Sequence, residues 1–185
     1  MRSQRERLLR AMAETMARQG YARTSVADVL RAAGVSRETF YEQFSSKEDC
    51  FLAAYDAAAE LLLADIPRSR AGGSTTTRQT AFGRGIGAYL DALAAEPDFA
   101  RLFLVEVYAA GPGAIARRMA MQERFVDVLS DQLDPRGHER FAIEALVAAI
   151  AQMVTSRLAV GDVDGLRKLR RPLTKLVSRA LDADA

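Results

Sequence analysis

Apolar residues in this chain recur three and four positions apart rather than in alternation, which commits it to packed helices. Leu8, Leu9, Met12, Met16 and Ala17 share one face of a first helix that Gly20 stops. Val26, Val29, Leu30 and Ala33 give a short second helix closed by Gly34. Ser36 to Phe44 supplies one or two turns, with Phe40 and Phe44 on the buried side. A longer helix runs from about Ser46 to Ile66 and ends before Pro67. Residues 68–75 read as a poorly ordered loop. Further helices are expected over roughly 76–95, 98–109, 113–132, 138–160 and 163–181. The expected fold class is all-α, with about nine helices.

Composition narrows the class further. With 49% hydrophobic residues and a net charge of +2, the 185-residue chain is too apolar for disorder and long enough to bury a core. The longest uncharged run, Ala145 to Ser156, is twelve residues, short of the roughly 20 a bilayer helix needs, so no membrane span is expected. The first residues are too charged for a secretory signal, Cys50 is the single cysteine and there is no asparagine, which fits a cytoplasmic protein. Charge is uneven: residues 1–23 hold six arginines against two glutamates, and residues 165–181 hold six basic residues and no acid. Such basic ends suit either a polyanion partner or the solvated faces of amphipathic helices.

The informative segment is residues 24–48, TSVADVLRAAGVSRETFYEQFSSKE. Ala33-Gly34-Val35-Ser36 joins two short amphipathic helices, as a helix-turn-helix requires. Gly34 can take the positive φ that ends the first sharply, and Ser36 can cap the second. Ser25 with Asp28, and Ser45 with Glu48, have the spacing of capping boxes. With Val35, Phe40 and Phe44 inward, Arg37, Glu38, Thr39, Tyr41 and Gln43 are left outside, a mixed hydrogen-bonding surface suited to base edges in a major groove. Arg37 has the planar fork that pairs with guanine, and Tyr41 a hydroxyl for a phosphate. Lys47 lies in the first turn of the next helix, where the macrodipole disfavours a cation; a bound phosphate, a solvated ammonium or an ion pair with Glu48 or Asp49 all accommodate it.

From Arg7 to about Tyr55 the chain resembles the DNA-binding region of the TetR family of transcriptional repressors. The resemblance rests on Thr24-Ser25, Ala33-Gly34-Val35-Ser36, Thr39-Phe40-Tyr41, Phe44 and Ser46-Lys47-Glu48. It implies a homodimer on a near-palindromic double-stranded operator. Thr24, Ser25, Tyr41 and Lys47 would hold phosphates; Arg37, Glu38, Thr39 and Gln43 would face the bases, with Ser36 nearby. Gln43 departs from the histidine of many members, and Glu38 and Glu42 add acid beside the reading face.

On this resemblance residues 1–47 form the DNA-binding domain and 48–185 a ligand-binding and dimerisation domain. Leu166, Leu169, Leu173, Leu176 and Ala180 make a short heptad seam interrupted by Pro172, and the helix from Phe141 to Val154 is apolar around most of its circumference. The helices at 138–160 and 163–181 would pair subunits, or else pack only within one chain. Phe99, Phe103, Val107, Met121 and Phe125 suit a small-molecule pocket or plain core. Glu106 suits a cationic or hydroxylated ligand, or an ion pair with Arg117 or Arg118. Gly83 and Gly87 read as small residues that let helices approach. No metal site, cofactor or catalytic motif is expected. The expected function is a ligand-responsive regulator, with the helix from Lys47 as lever; the alternative is a small-molecule-binding or adaptor protein that does not touch DNA.

Overall fold

A computed structural model describes residues 3–64, 75–133 and 140–182. Among them are ten α-helices, one 3-10 turn and no strand. Of the expected loop at 68–75, residues 68–74 lie outside the described residues, as do Asp134-Pro135 and His138, while Thr75 is already helical.

The chain divides into two compact units, described residues of 1–60 with 96–118, and of 61–95 with 119–182. In the first, α1 (Gln4–Gln19) is the central helix. Leu8, Ala11, Met12, Ala13, Thr15 and Met16 are all buried, because α1 packs on both α2 (Val26–Ala33) and α6 (Pro97–Leu104). That is a wider buried arc than the five-residue face read from the sequence; Leu9 and Ala17 are only half-buried. Ser3 and Glu6 close a capping box at its start, which the sequence reading missed. The box at Ser25 and Asp28 forms as expected. Gly34 has φ 62° and ψ 43°, the left-handed conformation that ends α2 and turns the chain into α3 (Arg37–Gln43). Ser36 Oγ accepts from the Thr39 N–H at 3.1 Å.

The box expected at Ser45 and Glu48 is displaced by one residue. α4 (Lys47–Ala64) follows Ser46, whose Oγ accepts from the Asp49 N–H at 3.0 Å. The Asp49 carboxylate reaches back to the N–H of Ser45 at 2.8 Å. An aromatic row holds α4 in place: Tyr21 meets Phe51 edge-on, and Tyr55 stacks on Phe103 of α6 with centroids 4.6 Å apart.

The second unit contains α5 (Thr75–Ala95), most of α7 (Pro112–Leu133), α8 (Arg140–Ala159), α9 (Val163–Lys168) and α10 (Arg170–Asp182). The last two replace one expected helix; the chain breaks at Leu169, three residues before Pro172, as a helix start just ahead of proline allows. Gly83 and Gly87 do let helices close up. A Cβ at Gly87 would meet the Arg170 guanidinium carbon at 2.7 Å, and one at Gly83 would meet Thr174 at 3.2 Å. Of the heptad seam, Leu166, Leu169 and Leu173 are buried within this unit, whereas Leu176 is 47% exposed.

α8, apolar around most of its circumference, is buried in this chain along one stripe, Ile143, Val147, Ile150, Val154 and Leu158, while Ala142, Ala145 and Ala148 are exposed and Phe141 is 83% exposed. A single chain packs only one side of it. It is also the one described helix long and apolar enough to cross a membrane by length and composition alone, because charges sit at its ends rather than throughout.

Candidate nucleic-acid interface

The surface around α3 is organised by what lies beneath it. Phe40 and Phe44 are buried and packed together at 5.7 Å, so the helix cannot rotate without opening the core. Its opposite face carries Ser36, Arg37, Glu38, Tyr41, Glu42 and Gln43, all exposed, with Thr39 half-buried. The Arg37 guanidinium lies 5.5 Å from the Tyr41 ring centroid, and its Nη2 donates to the Tyr41 hydroxyl at 3.5 Å. Ser36 and Thr39 share a contact of 3.0 Å between their hydroxyls, so both are engaged in the helix start.

Arg7, which the sequence reading passed over, fixes the turn before α3. Its Nη2 donates to the carbonyl oxygens of Ala33 and Gly34, the second at 2.8 Å, satisfying acceptors that the end of α2 leaves free. The contact spans 26 residues, so local spacing carries no signal for it.

The connection between α1 and α2 is held from two directions. The Tyr21 N–H donates to Glu106 Oε2 at 2.8 Å, from the 3-10 turn Glu106–Ala109. On the other side, Lys47 Nζ donates to the carbonyl oxygens of Tyr21 and Thr24, each at 3.0 Å, and sits 4.0 Å from the Tyr21 ring centroid. Lys47, half-buried, therefore spends two donors on backbone carbonyls, and these acceptors compensate its unfavourable place in the helix. Burial holds its pKa below the usual lysine value.

The remaining candidates divide by exposure. Ser25 is exposed and its Oγ donates to Asp28 Oδ2 at 2.6 Å. That bond, then the Ser25 backbone N–H and Arg31, hold the Asp28 carboxyl down at about 2. Thr24 differs from its expected role: it is buried, and its hydroxyl donates to the Gly20 carbonyl at 2.8 Å.

Of the ligand candidates, Phe99, Phe103, Glu106 and Val107 belong to the first unit, where all four are buried. Glu106 also faces Arg101 Nε at 3.5 Å. The expected partners are used elsewhere, Arg117 with Asp56 at 3.4 Å and Arg118 with the Tyr108 hydroxyl at 2.8 Å. Met121 and Phe125 belong to the second unit, Phe125 half-buried edge-on against Tyr89. Cys50 is buried and its thiol is pushed up to about 12, chiefly by desolvation, which leaves it unreactive. Among the described residues no group of three or more acidic, histidine or cysteine side chains could hold a metal ion.

Residues 8–54 match the family profile of bacterial regulatory proteins, tetR family. The fold of the chain is similar to that of a TetR family transcriptional regulator, PfmR, from Thermus thermophilus. That pair is 21% identical at a TM-score of 0.76, with 97% of each chain covered. It is also similar to the transcriptional regulator FadR from Bacillus subtilis, solved in complex with stearoyl-CoA, at 16% identity and a TM-score of 0.76, covering 94% of this chain and 97% of that one. A TetR-like transcriptional regulator from a Rhodococcus species superposes at a TM-score of 0.74 with 17% identity, over 97% of this chain and 96% of that one. At these identities the likeness establishes the fold.

Proposed function

From the match of residues 8–54 to the profile of bacterial regulatory proteins, tetR family, we propose that the chain is a cytoplasmic, ligand-responsive repressor. It would bind a palindromic double-stranded operator as a homodimer and leave it when a small-molecule effector binds. The observation that carries this reading is the exposed row Arg37, Glu38, Tyr41 and Gln43 on a helix whose other face is anchored by Phe40 and Phe44. A rigid, solvent-facing helix with mixed donors and acceptors is what direct base readout needs. Residues 1–47 would be the DNA-binding domain and 48–185 the part that pairs subunits and takes the effector.

In this reading Arg37, Glu38, Thr39 and Gln43 face bases, with Ser36 at the rim. Ser25, Tyr41 and Lys47 serve the phosphates. Lys47 spends two donors on backbone carbonyls, so it offers one more to DNA and also fixes the turn beside it. Thr24 supports that turn from within. The candidate effector contacts are Phe99, Phe103 and Val107 in the first unit and Met121 and Phe125 in the second. Glu106 then transmits the effector's influence rather than binding it. An effector acts only through unequal affinity for the DNA-bound and released arrangements.

The test selects duplexes from a random pool with the purified protein and measures binding by fluorescence anisotropy. Arg37→Ala should reduce the preference for the selected duplex over a random one by about 1–3 kcal/mol per contacted guanine, roughly 5- to 150-fold, with random-duplex binding almost unchanged. Enrichment of no duplex at low salt would leave a small-molecule-binding protein as the better description.

A further inference from the structure

Arginines in the first unit spend their guanidinium groups on protein oxygens. Arg7 caps α2, Arg10 pairs with Glu96 and Arg18 meets Thr15 Oγ1. Arg23 donates to the Gln19 carbonyl and Arg31 pairs with Asp28. Arg37 touches the Tyr41 hydroxyl at the edge of hydrogen-bond range. Arg5 alone among the described arginines of residues 3–60 makes no hydrogen bond or ion pair there. Its side chain is nonetheless held: the guanidinium carbon lies 4.6 Å from the centroid of the Phe44 ring.

Phe44 is the residue that ends α3, and its ring is 2% exposed, so Arg5 caps the core at the point where the reading helix stops. Arg5 is itself exposed, on the first turn of α1. Glu6, its neighbour in sequence, is engaged, accepting from the Ser3 N–H at 2.9 Å. A guanidinium positioned by an aromatic face keeps all five N–H donors and its full charge for an outside anion, with its orientation fixed in advance.

We propose that Arg5 is a DNA-phosphate contact outside the helix-turn-helix, on the strand flanking the half-site that α3 reads. This rests on the proposed DNA-binding function and extends it to α1. Arg5 adds affinity without base preference, because a phosphate contact positions the protein and carries no sequence information.

The experiment uses the full-length protein, the selected duplex with long flanks and a random duplex, each titrated over a range of salt concentrations. Arg5→Gln lowers the slope of log affinity against log salt by about one per protomer, and lowers affinity about tenfold near 0.1 M salt on both duplexes alike. Arg5→Lys retains the slope, since it keeps the charge. Thermal midpoints of both variants stay near wild type. If Arg5→Gln lowers the melting temperature but leaves the salt slope unchanged, Arg5 merely covers Phe44 and the proposal fails. A loss confined to the selected duplex would make it a base reader, which also overturns it. Failure of the wild-type protein to bind either duplex would instead remove the function on which this contact rests, and the contact with it.

Discussion

Glu106→Ala should lower the stability of the protein by about 3 kcal/mol, the cost typical of breaking a buried charge pair from one side. The substitution leaves the Tyr21 N–H without its acceptor and takes the facing charge from Arg101. Glu106 is 7% exposed, so water cannot replace the lost oxygens without a local opening. For a chain of this length the melting temperature should fall by about 10 °C in a calorimetric scan. Glu106→Gln separates the two contributions: its amide oxygen still accepts from Tyr21, so the loss should be about half as large. A change of only one or two degrees on Glu106→Ala would mean that the turn at Tyr21 is held by Lys47 alone. The same tie has a functional consequence under the proposed mechanism. Anything that displaces the 3-10 turn pulls on the peptide between α1 and α2, and thereby on the platform under α3.

The second large effect concerns α8. Phe141, Ala145, Ala148 and Gln152 are spaced four, three and four apart and are all exposed, on a helix whose other stripe is buried. Small residues in the middle of such a face allow a second helix to approach closely. Ala148→Glu places a carboxylate at the centre of that face, where the single chain has open solvent. The fold should be unaffected, and sedimentation should report a dimer at micromolar concentration for the wild type and a monomer for the variant. Operator affinity should fall by two orders of magnitude or more, since the second half-site no longer binds at high effective concentration. A variant that stays dimeric would move the subunit contact elsewhere, Leu176 on α10 being the next exposed apolar candidate.

Much of the first unit was legible because its signals are local. The caps at Ser25 and Ser36, the left-handed glycine at position 34 and the inward pair Phe40 and Phe44 each depend on residues a few positions apart. The box before α4 was misplaced by one residue because Ser45 and Ser46 stand together with Glu48 and Asp49, and two registers satisfy the same pattern. Lys47, Glu106 and Arg7 were the harder cases. Their partners are 26, 85 and 26 residues away, and such contacts exist only once the helices have packed. The heptad seam divided for a related reason: close approach of α10 at Gly83 and Gly87 draws Leu173 inward, leaving Leu176 outside. The apolar circumference of α8 left two readings open, a subunit contact or packing within one chain, because a surface that meets a second subunit has the composition of a core.

The central claim is that the exposed face of α3 enters the major groove twice, once from each subunit. Guanine N7 lies in that groove, so methylation interference on the selected duplex tests it directly. The account predicts two clusters of interfering guanines related by dyad symmetry and separated by about one helical turn or a multiple of it, with one cluster position tolerated when Arg37 is alanine. Binding that is indifferent to N7 methylation throughout the duplex would contradict it.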